Sequence, residues 1–287
     1  MEPGQPSRTA IGAARHRAAH QLLDGGFIFA DPLAVPILGL DVATIVRDAG
    51  TDPYTRALRL FIAIRSRLAE DALAAAVEDS VRQLVVLGAG LDTYAYRSRF
   101  GVSLRIFEVD HPATQAWKRE RLAAAAIPLP SALVFTPVDF ERDTLADGLA
   151  SAGFRPTLPT FFTWLGVVPY LSERTIYATL DFIAGLPGGA HVVFDYANPA
   201  SSMAAAVRAR HEALAARVAA AGEAFKTFLE TDALCARLAA LGFCEIEDLG
   251  PTQIARRYFS GGLAPASDRG GHIMRASTIR ALPHRRS

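Results

Sequence analysis

The stretch that decides the fold is RQLVVLGAGLDT, residues 82–93. Its apolar, β-branched half predicts a buried strand, and its GAG triplet predicts a turn where backbone N–H groups can approach a ligand closely. The next strand-like run, LRIFEVD at 104–110, ends in two acids, Glu108 and Asp110, about 20 positions after the glycines. An acid at this position can accept hydrogen bonds from both hydroxyls of a ribose. The spacing therefore indicates a site for an adenosine-containing cofactor.

The glycines narrow the choice of cofactor, although a GxG alone also occurs in plain βα turns. A dinucleotide site uses G-x-G-x-x-G, so that the pyrophosphate rests on a helix N-terminus. Here Gly88 and Gly90 are followed by Leu91, Asp92 and Thr93, and the third glycine is missing. The carboxylate of Asp92 stands where a pyrophosphate would rest and would repel it. We therefore expect a cofactor without phosphates, such as S-adenosyl-L-methionine, rather than NAD.

Strands and helices alternate from residue 82 onward. This spacing indicates βαβ units, and hence an α/β fold whose parallel sheet carries helices on both faces. The predicted strands lie at 83–88, 104–110, 132–138, 160–165, 190–196 and 244–249, with a last edge strand at 272–277. The predicted helices between them lie at about 92–98, 112–126, 141–152, 173–185 and 230–241.

Further helical patterns lie outside this alternation. Three of them, at 9–24, 32–48 and 53–78, precede the first strand, and we expect residues 1–80 to pack over the carboxyl edge of the sheet as a lid. The alanine- and arginine-rich segment 199–222 is also helical in pattern, either as a second part of the lid or as a surface helix. With no internal repeat or linker, residues 1–287 are interpreted as a single domain, with its core at 82–278.

Composition limits the classes of partner. A chain of 287 residues, 51% of them hydrophobic, can bury the core of one α/β domain. A net charge of +1 gives no long-range attraction for nucleic acid or anionic lipid, so neither is expected as a partner. The start of the chain lacks the apolar segment of a secretory signal, and the longest uncharged run, 158–172, is too short to cross a bilayer. These features predict a cytoplasmic protein. His16 and His20 have no third ligand at a suitable spacing, so no metal site is expected.

The chain resembles a known family in several segments. They are SRTAIGAARHRAAHQLLDGGFIFADPLA at 7–34, RSRLAEDAL at 65–73, LGAGLDTYAYR at 87–97, FEVDHPATQAWKRE at 107–120, PVDFERD at 137–143 and WLGVVPYL at 164–171. Together they resemble the leucine carboxyl methyltransferase family, in its bacterial branch of S-adenosyl-L-methionine-dependent methyltransferases. The resemblance implies a class I methyltransferase (Rossmann-like) fold, with a mostly parallel sheet of about seven strands whose last strand is antiparallel.

The resemblance also implies roles for individual residues. Gly88, with Gly90 beside it, matches the glycine turn that contacts the cofactor, and Asp110 matches the acid that holds the ribose. Asp139 and Phe140 match the pair that flanks the adenine. Two basic residues match the end of the site that receives the methionine carboxylate, Arg65 directly and Arg17 from the N-terminal helix. Many relatives carry glutamate in a W-E-G motif where this chain has Leu165.

Several of these residues have alternative interpretations. Asp110 could instead cap the helix that follows it, and Asp139 could cap the predicted helix at 141–152. Glu108 shares a strand face with Asp110 and is the alternative ribose ligand. Arg65 could be a solvated helix charge.

The expected chemistry is methyl transfer to oxygen. A carboxylate acceptor needs no general base, whereas an alcohol or phenol needs one, and no His–Asp pair is apparent at the end of a predicted strand. We therefore expect an O-methyltransferase acting on a small molecule, preferably on a carboxylate. Candidates to orient the acceptor are Tyr170, Tyr196 and His111. The alternatives are a methyltransferase for a protein C-terminal carboxylate, an NAD-linked oxidoreductase, and a cofactor-binding protein without catalysis, the last suggested by Leu165.

Overall fold

A seven-stranded sheet forms the centre of the computed structural model, which describes residues 7–50, 53–140, 142–220, 222–259 and 268–280. The strands are β1 (Gln83–Leu87), β2 (Arg105–Asp110), β3 (Leu133–Pro137), β4 (Thr160–Trp164), β5 (Ala190–Ala197), β6 (Glu245–Leu249) and β7 (Gly271–Ser277). Their order in the sheet is β3-β2-β1-β4-β5-β7-β6. The first five strands are parallel, and β7 is antiparallel to both of its neighbours. The predicted α/β class and the antiparallel last strand are confirmed.

The structure describes eleven α-helices, several of which cover the two faces of the sheet. They are α1 (Arg8–Leu23), α2 (Ala34–Leu38), α3 (Val42–Ala49), α4 (Pro53–Asp79), α5 (Tyr94–Arg97), α6 (Pro112–Ala124), α7 (Leu145–Ser151), α8 (Glu173–Ala184), α9 (Ala205–Ala220), α10 (Thr231–Ala240) and α11 (Pro251–Tyr258). Helices α7, α8 and α10 contribute to one apolar cluster, and α4, α5 and α11 contribute to a second. Helices α1 to α3 pack on one another and on α6, in a third cluster.

Strand β1 has buried side chains on both faces of the sheet. All five of its residues are buried, and its side chains alternate between the two clusters. Val85 and Leu87 belong to the first cluster, whereas Leu84 and Val86 belong to the second. A strand enclosed on both faces is a continuous apolar run, which is the pattern of the opening stretch of sequence.

Three element predictions need correction. The expected edge strand at 272–277 is β7, which lies inside the sheet between β5 and β6. The helix predicted at 32–48 is two helices, because Gly39 ends α2 in a left-handed conformation with φ +60° and Asp41 caps α3. The helix predicted at 141–152 begins at Leu145, and α11 was not predicted.

The inserted segment has features of both of its interpretations. Its helix α9 has no buried residue, which is typical of a surface helix. The loop that follows α9, at 222–226, contacts the rest of the protein at the cavity described below. Within the described ranges, no helix combines the length and apolar character that a membrane crossing requires.

Candidate functional site

A cavity of about 680 Å³ lies at the carboxyl edge of the sheet. The ends of β1, β2 and β4 and the segment after β3 line it from below, and α1, α4 and the loop after α9 line its other walls. In open α/β sheets, ligands bind at the carboxyl edge, at the point where the strand order reverses. Here this point lies beside β1, because β2 and β3 lie on one side of β1 and β4 and β5 lie on the other. The volume is within the usual range for a small-molecule site.

The glycine turn forms part of the floor of the cavity. Gly88 has φ +65° and Gly90 has φ +41°, a region that favours glycine. The backbone N–H groups of Gly88 and Ala89 both donate to the Val109 carbonyl, at 2.8 and 3.1 Å, which ties the turn to β2. A Cβ atom at Gly88 would lie 2.3 Å from Val167 Cγ2. Only glycine fits at this position without displacing the loop after β4.

Asp110 lies beside the turn, at the end of β2, and lines the cavity. Its Oδ2 accepts a hydrogen bond from the Gly90 N–H at 2.6 Å, and its Oδ1 accepts one from the His111 N–H at 2.7 Å. Burial raises the pKa of Asp110 above its usual range. Each carboxylate oxygen has two lone pairs, so a carboxylate held by two backbone donors can still accept further hydrogen bonds from a ligand.

The alternatives for the acid after β2 do not fit this geometry. The N-cap of α6 is His111, whose Nδ1 accepts from the Ala113 N–H at 3.2 Å, so Asp110 is not the cap. Glu108 is 1% exposed, and its Oε2 lies 2.7 Å from the Lys118 ammonium beneath α6. Glu108 is therefore part of a buried ion pair and does not line the cavity.

Asp139 and Phe140 follow β3 and line the same cavity. The alternative role of Asp139 as a helix cap is wrong, because α7 starts later and is capped by Thr144, whose Oγ1 accepts from the Asp147 N–H at 3.1 Å. Asp139 Oδ2 lies 3.9 Å from His111 Nε2, so the segments after β2 and β3 meet here.

Two arginines also line the cavity. Arg65, on α4, donates from Nη1 to Asp195 Oδ2 at 2.8 Å. Arg17, on α1, donates from Nη2 to the Leu91 carbonyl, and its Nε lies 3.3 Å from Asp31 Oδ2. Arg65 is therefore an ion-paired residue at the cavity wall rather than a solvated charge. Arg17 connects α1 to the segment after the glycine turn.

The three candidates for orienting an acceptor lie in different places. Tyr170 lines the cavity, and burial raises its pKa to about 12, so its phenol stays protonated at neutral pH. His111 also lines the cavity, but at the end of β2 and with Nδ1 engaged as a helix cap.

Tyr196 is 2% exposed and lies outside the cavity lining. Its hydroxyl donates to Asp248 Oδ1 at 2.8 Å and bonds Thr231 Oγ1 at 2.9 Å. The structure thus contradicts a role for Tyr196 toward an acceptor. The network also contains a His–Asp pair at strand ends that the sequence did not indicate, since His272 Nδ1 lies 2.8 Å from Asp248 Oδ2.

Comparisons with known proteins place the chain in a family. Residues 10–184 match the family model for leucine carboxyl methyltransferase, which is more than half of the chain. The chain belongs to this family. The resemblance of the sequence segments is confirmed.

Individual relatives agree with this assignment. YktD of Bacillus subtilis (strain 168), named as a candidate S-adenosyl-L-methionine-dependent methyltransferase, is 36% identical over 181 residues, which is 62% of this chain and 59% of YktD. Franean1_4929 of Parafrankia sp. (strain EAN1pec), with a similar name, is 34% identical over 174 residues, 58% of this chain and 55% of that protein. The chain therefore matches between a half and two thirds of the length of these relatives.

A solved structure supports the fold alone. The crystal structure of the CurJ carbon methyltransferase aligns with a TM-score of 0.50 and 14% sequence identity, over 95% of this chain and 67% of that chain. The class I methyltransferase fold is thus confirmed for a member of the leucine carboxyl methyltransferase family.

One position departs from the W-E-G pattern described for many members of the family. Leu165 lies partly buried against the apolar cluster that includes α4, directly after β4. A carboxylate does contact this turn from β5, since Asp195 Oδ1 accepts from the Gly166 N–H at 2.6 Å. Asp195 was not among the residues predicted from the sequence, because its partner Arg65 is 130 positions away.

Two further cavity residues escaped the sequence analysis. Glu223 and Lys226 lie in the loop after α9. Glu223 Oε1 accepts from the Arg8 N–H at 2.8 Å, and its Oε2 accepts from the Thr9 N–H at 3.1 Å, so the loop binds the first turn of α1. No sequence motif marks these residues. The only indication in the sequence was the long inserted segment, which suggested a second part of the lid. Among the described residues, no group of three His, Cys, Asp or Glu side chains could hold a metal ion.

Proposed function

We propose that this chain transfers a methyl group from S-adenosyl-L-methionine to an oxygen of a small-molecule acceptor, preferably a carboxylate. The observation that carries the proposal is one cavity that is lined both by Asp110, which accepts from the Gly90 N–H of the glycine turn, and by Arg65. A carboxylate acceptor for hydroxyls and a guanidinium donor for a carboxylate are what the ribose and the amino-acid end of this cofactor require. The names of the relatives support the same cofactor.

The adenosyl end of S-adenosyl-L-methionine would lie against the residues at the ends of β2 and β3. Asp110 would accept from the ribose hydroxyls, while Asp139 and Phe140 would flank the adenine. The carboxylates of Asp92 and Asp110 both line the cavity, which supports a ligand without phosphates over NAD. S-adenosyl-L-methionine supplies a methyl group that is activated on a sulfonium, so the protein has to hold the acceptor and exclude water.

The cavity residues outside the adenosyl side favour a methyl acceptor whose oxygen is already ionised. Tyr170, protonated at neutral pH, would donate a hydrogen bond to an acceptor oxygen. Among the cavity residues that the structure describes, the histidine is His111, which lies on the adenosyl side. Glu223 is occupied by donors from α1. A carboxylate needs no base from these residues, whereas an alcohol would. A cytoplasmic location, expected from the sequence, stays a prediction.

Transfer of a labelled methyl group tests the function. We would incubate the full chain with S-adenosyl-L-methionine labelled in its methyl group and with matched pairs of small acids and alcohols. The expected result is label in the acids. Mild alkali should release this label as methanol, because it hydrolyses methyl esters. Tyr170→Phe should reduce transfer while leaving the affinity for S-adenosylhomocysteine unchanged. Label only in alcohols, phenols or carbon would contradict the carboxylate, and label in no acceptor would contradict the activity.

A further inference from the structure

We propose that Asp195 is a positioning residue for the cofactor, acting through Arg65, and that it provides the negative charge which Leu165 cannot. The inference rests on the proposed function, because it concerns how the amino-acid end of S-adenosyl-L-methionine is held. Asp195 lies outside the cavity lining, whereas Arg65 lies in it. Asp195 therefore acts on a ligand through another side chain and not by contact.

The sheet places Asp195 next to the turn after β4. Strands β4 and β5 are parallel neighbours, with Trp164 opposite Phe194, so Asp195 lies beside the residue that follows Trp164. Its Oδ1 accepts from the Gly166 N–H at 2.6 Å, and its Oδ2 accepts from Arg65 Nη1 at 2.8 Å. One carboxylate thus fixes both the turn and the arginine.

The guanidinium of Arg65 has little freedom in this arrangement. The side chains of Asp195 and Arg65 are 7% and 11% exposed. Gly166 has φ +73°, and a Cβ atom at this position would lie 2.6 Å from Arg65 Nη2, so the guanidinium lies close against the Gly166 backbone. Asp195 is the hydrogen-bond partner of Arg65 among the described residues. A guanidinium has five N–H donors, and the remaining ones are available to a ligand carboxylate in the cavity.

Charge gives Asp195 a second effect on the ligand. The amino-acid end of S-adenosyl-L-methionine carries a carboxylate, an ammonium and the nearby sulfonium, with a net charge of about +1 at neutral pH. A nearly buried arginine without a counter-ion would attract the carboxylate and repel the two cations. The Arg65–Asp195 pair has no net charge. The guanidinium can therefore bind the ligand carboxylate while it repels the sulfonium less strongly than an unpaired arginine would. Leu165 cannot supply this charge.

Three ligands separate this role from a general effect on the site. S-adenosylhomocysteine keeps the amino-acid end without the sulfonium, S-adenosyl-L-methionine has both, and 5′-methylthioadenosine has neither. We would measure the affinities of the full chain for each by calorimetry, in the wild type and in Asp195→Asn, Arg65→Ala and the double variant. Thermal unfolding of each variant would verify that it is folded.

The expected pattern follows from the contacts. Asp195→Asn should weaken S-adenosylhomocysteine binding by roughly ten- to a hundredfold and S-adenosyl-L-methionine binding by at least as much. Binding of 5′-methylthioadenosine should change by less than about twofold, since this ligand does not need Arg65. The double variant should bind S-adenosylhomocysteine no more weakly than Arg65→Ala alone, because Asp195 acts through Arg65.

Other outcomes would overturn the inference. Unchanged binding of S-adenosylhomocysteine in Asp195→Asn, or an equal loss for all three ligands, contradicts a role through Arg65. If Asp195→Asn does not fold, Asp195→Glu keeps the charge and moves the carboxylate by one methylene, and it should weaken S-adenosylhomocysteine but not 5′-methylthioadenosine. Equal affinities of Asp195→Glu and the wild type for S-adenosylhomocysteine would also overturn the inference. Failure of the wild type to bind any of the three ligands would instead contradict the proposed function.

Discussion

At the scale of single residues, the glycine turn and Asp110 form one unit. The Gly90 N–H donates to Asp110 Oδ2, and the Gly88 N–H donates to a carbonyl of the same strand, β2. The positive φ values of the turn orient these N–H groups, and the carboxylate holds the turn in place. The acid therefore holds the backbone of the turn, and the proposed function adds a second role toward a ribose.

Asp110→Ala should weaken binding of S-adenosylhomocysteine by about 1–3 kcal/mol, because ribose hydroxyls would lose their acceptor. Calorimetry on the purified chain measures this change. The matched control is Glu108→Gln, which changes a buried carboxylate two residues earlier that does not line the cavity. The control should alter stability and leave the affinity of the folded protein unchanged. Equal affinities of Asp110→Ala and the wild type would remove Asp110 from the site.

Gly88→Ala should destabilise the chain more than Gly101→Ala. Both glycines have positive φ, +65° and +50°, so both substitutions incur about 1–2 kcal/mol of backbone strain. At Gly101 no atom lies within 4 Å of the new Cβ, whereas at Gly88 it meets the stiff side chain of Val167 at 2.3 Å. Urea unfolding should show a further loss of about 1–3 kcal/mol for Gly88→Ala. Equal losses in the two variants would contradict the close packing of the turn.

Sequence spacing predicted candidate site residues that are near one another in the chain or at successive strand ends. Gly88, Asp110 and Asp139 each lie at the end of a strand or just after it, and the carboxyl ends of parallel strands meet at one edge. Asp195 and Glu223 were missed because their partners lie 130 and 215 positions away. Contacts of this kind depend on how two distant elements pack, which a single sequence does not encode in its local pattern.

At the scale of elements, the start of α1 and the loop after α9 form one wall of the cavity. Glu223 accepts from the backbone N–H groups of Arg8 and Thr9 and from the hydroxyls of Ser7 and Thr9. The two backbone N–H groups are donors that the first turn of a helix leaves without partners, and a carboxylate there also suits the helix dipole. The inserted segment thus stabilises the N-terminal helix over the cavity.

Glu223→Ala should destabilise the chain by about 1–3 kcal/mol and accelerate release of S-adenosylhomocysteine. Loss of the carboxylate leaves the first turn of α1 without its acceptor, so this wall of the cavity opens more often. Urea unfolding and stopped-flow dissociation measure the two effects. Glu212→Ala, an exposed position on α9, is the matched control and should change neither. An unchanged release rate in Glu223→Ala would contradict the role of this contact in closing the cavity.

The burial of His16 on α1, which packs against α4, makes stability depend on pH. Burial, together with the smaller effect of the charges of Arg59, Arg65 and Arg217, lowers the pKa of His16 to about 4. As pH falls from about 6.5 toward 4, the unfolded chain takes up a proton that the folded chain does not, so stability is lost. Melting curves should show a smaller decrease of Tm between pH 7 and pH 5 in His16→Gln than in the wild type. Parallel Tm curves would contradict the depressed pKa.

At the scale of the whole molecule, the sheet order brings these elements together. Strands β1 and β2, which lie on either side of the glycine turn in the chain, are central neighbours, and β4 packs on the other side of β1. The strand and helix alternation predicted this parallel core because each strand is an apolar run between helical patterns. The position of β7 was not predictable from alternation, since a strand that follows a helix can join the sheet inside or at its edge. The split of α2 and α3 depended on one left-handed glycine within a helical pattern.

The central claim, a phosphate-free adenosyl cofactor in the cavity at the carboxyl edge, is tested most directly by isothermal titration calorimetry on the full chain. S-adenosyl-L-methionine and S-adenosylhomocysteine should each give saturable heat at one molecule per chain, and NAD⁺ should give none. No heat with either of the first two ligands, or saturable heat with NAD⁺, would contradict the account.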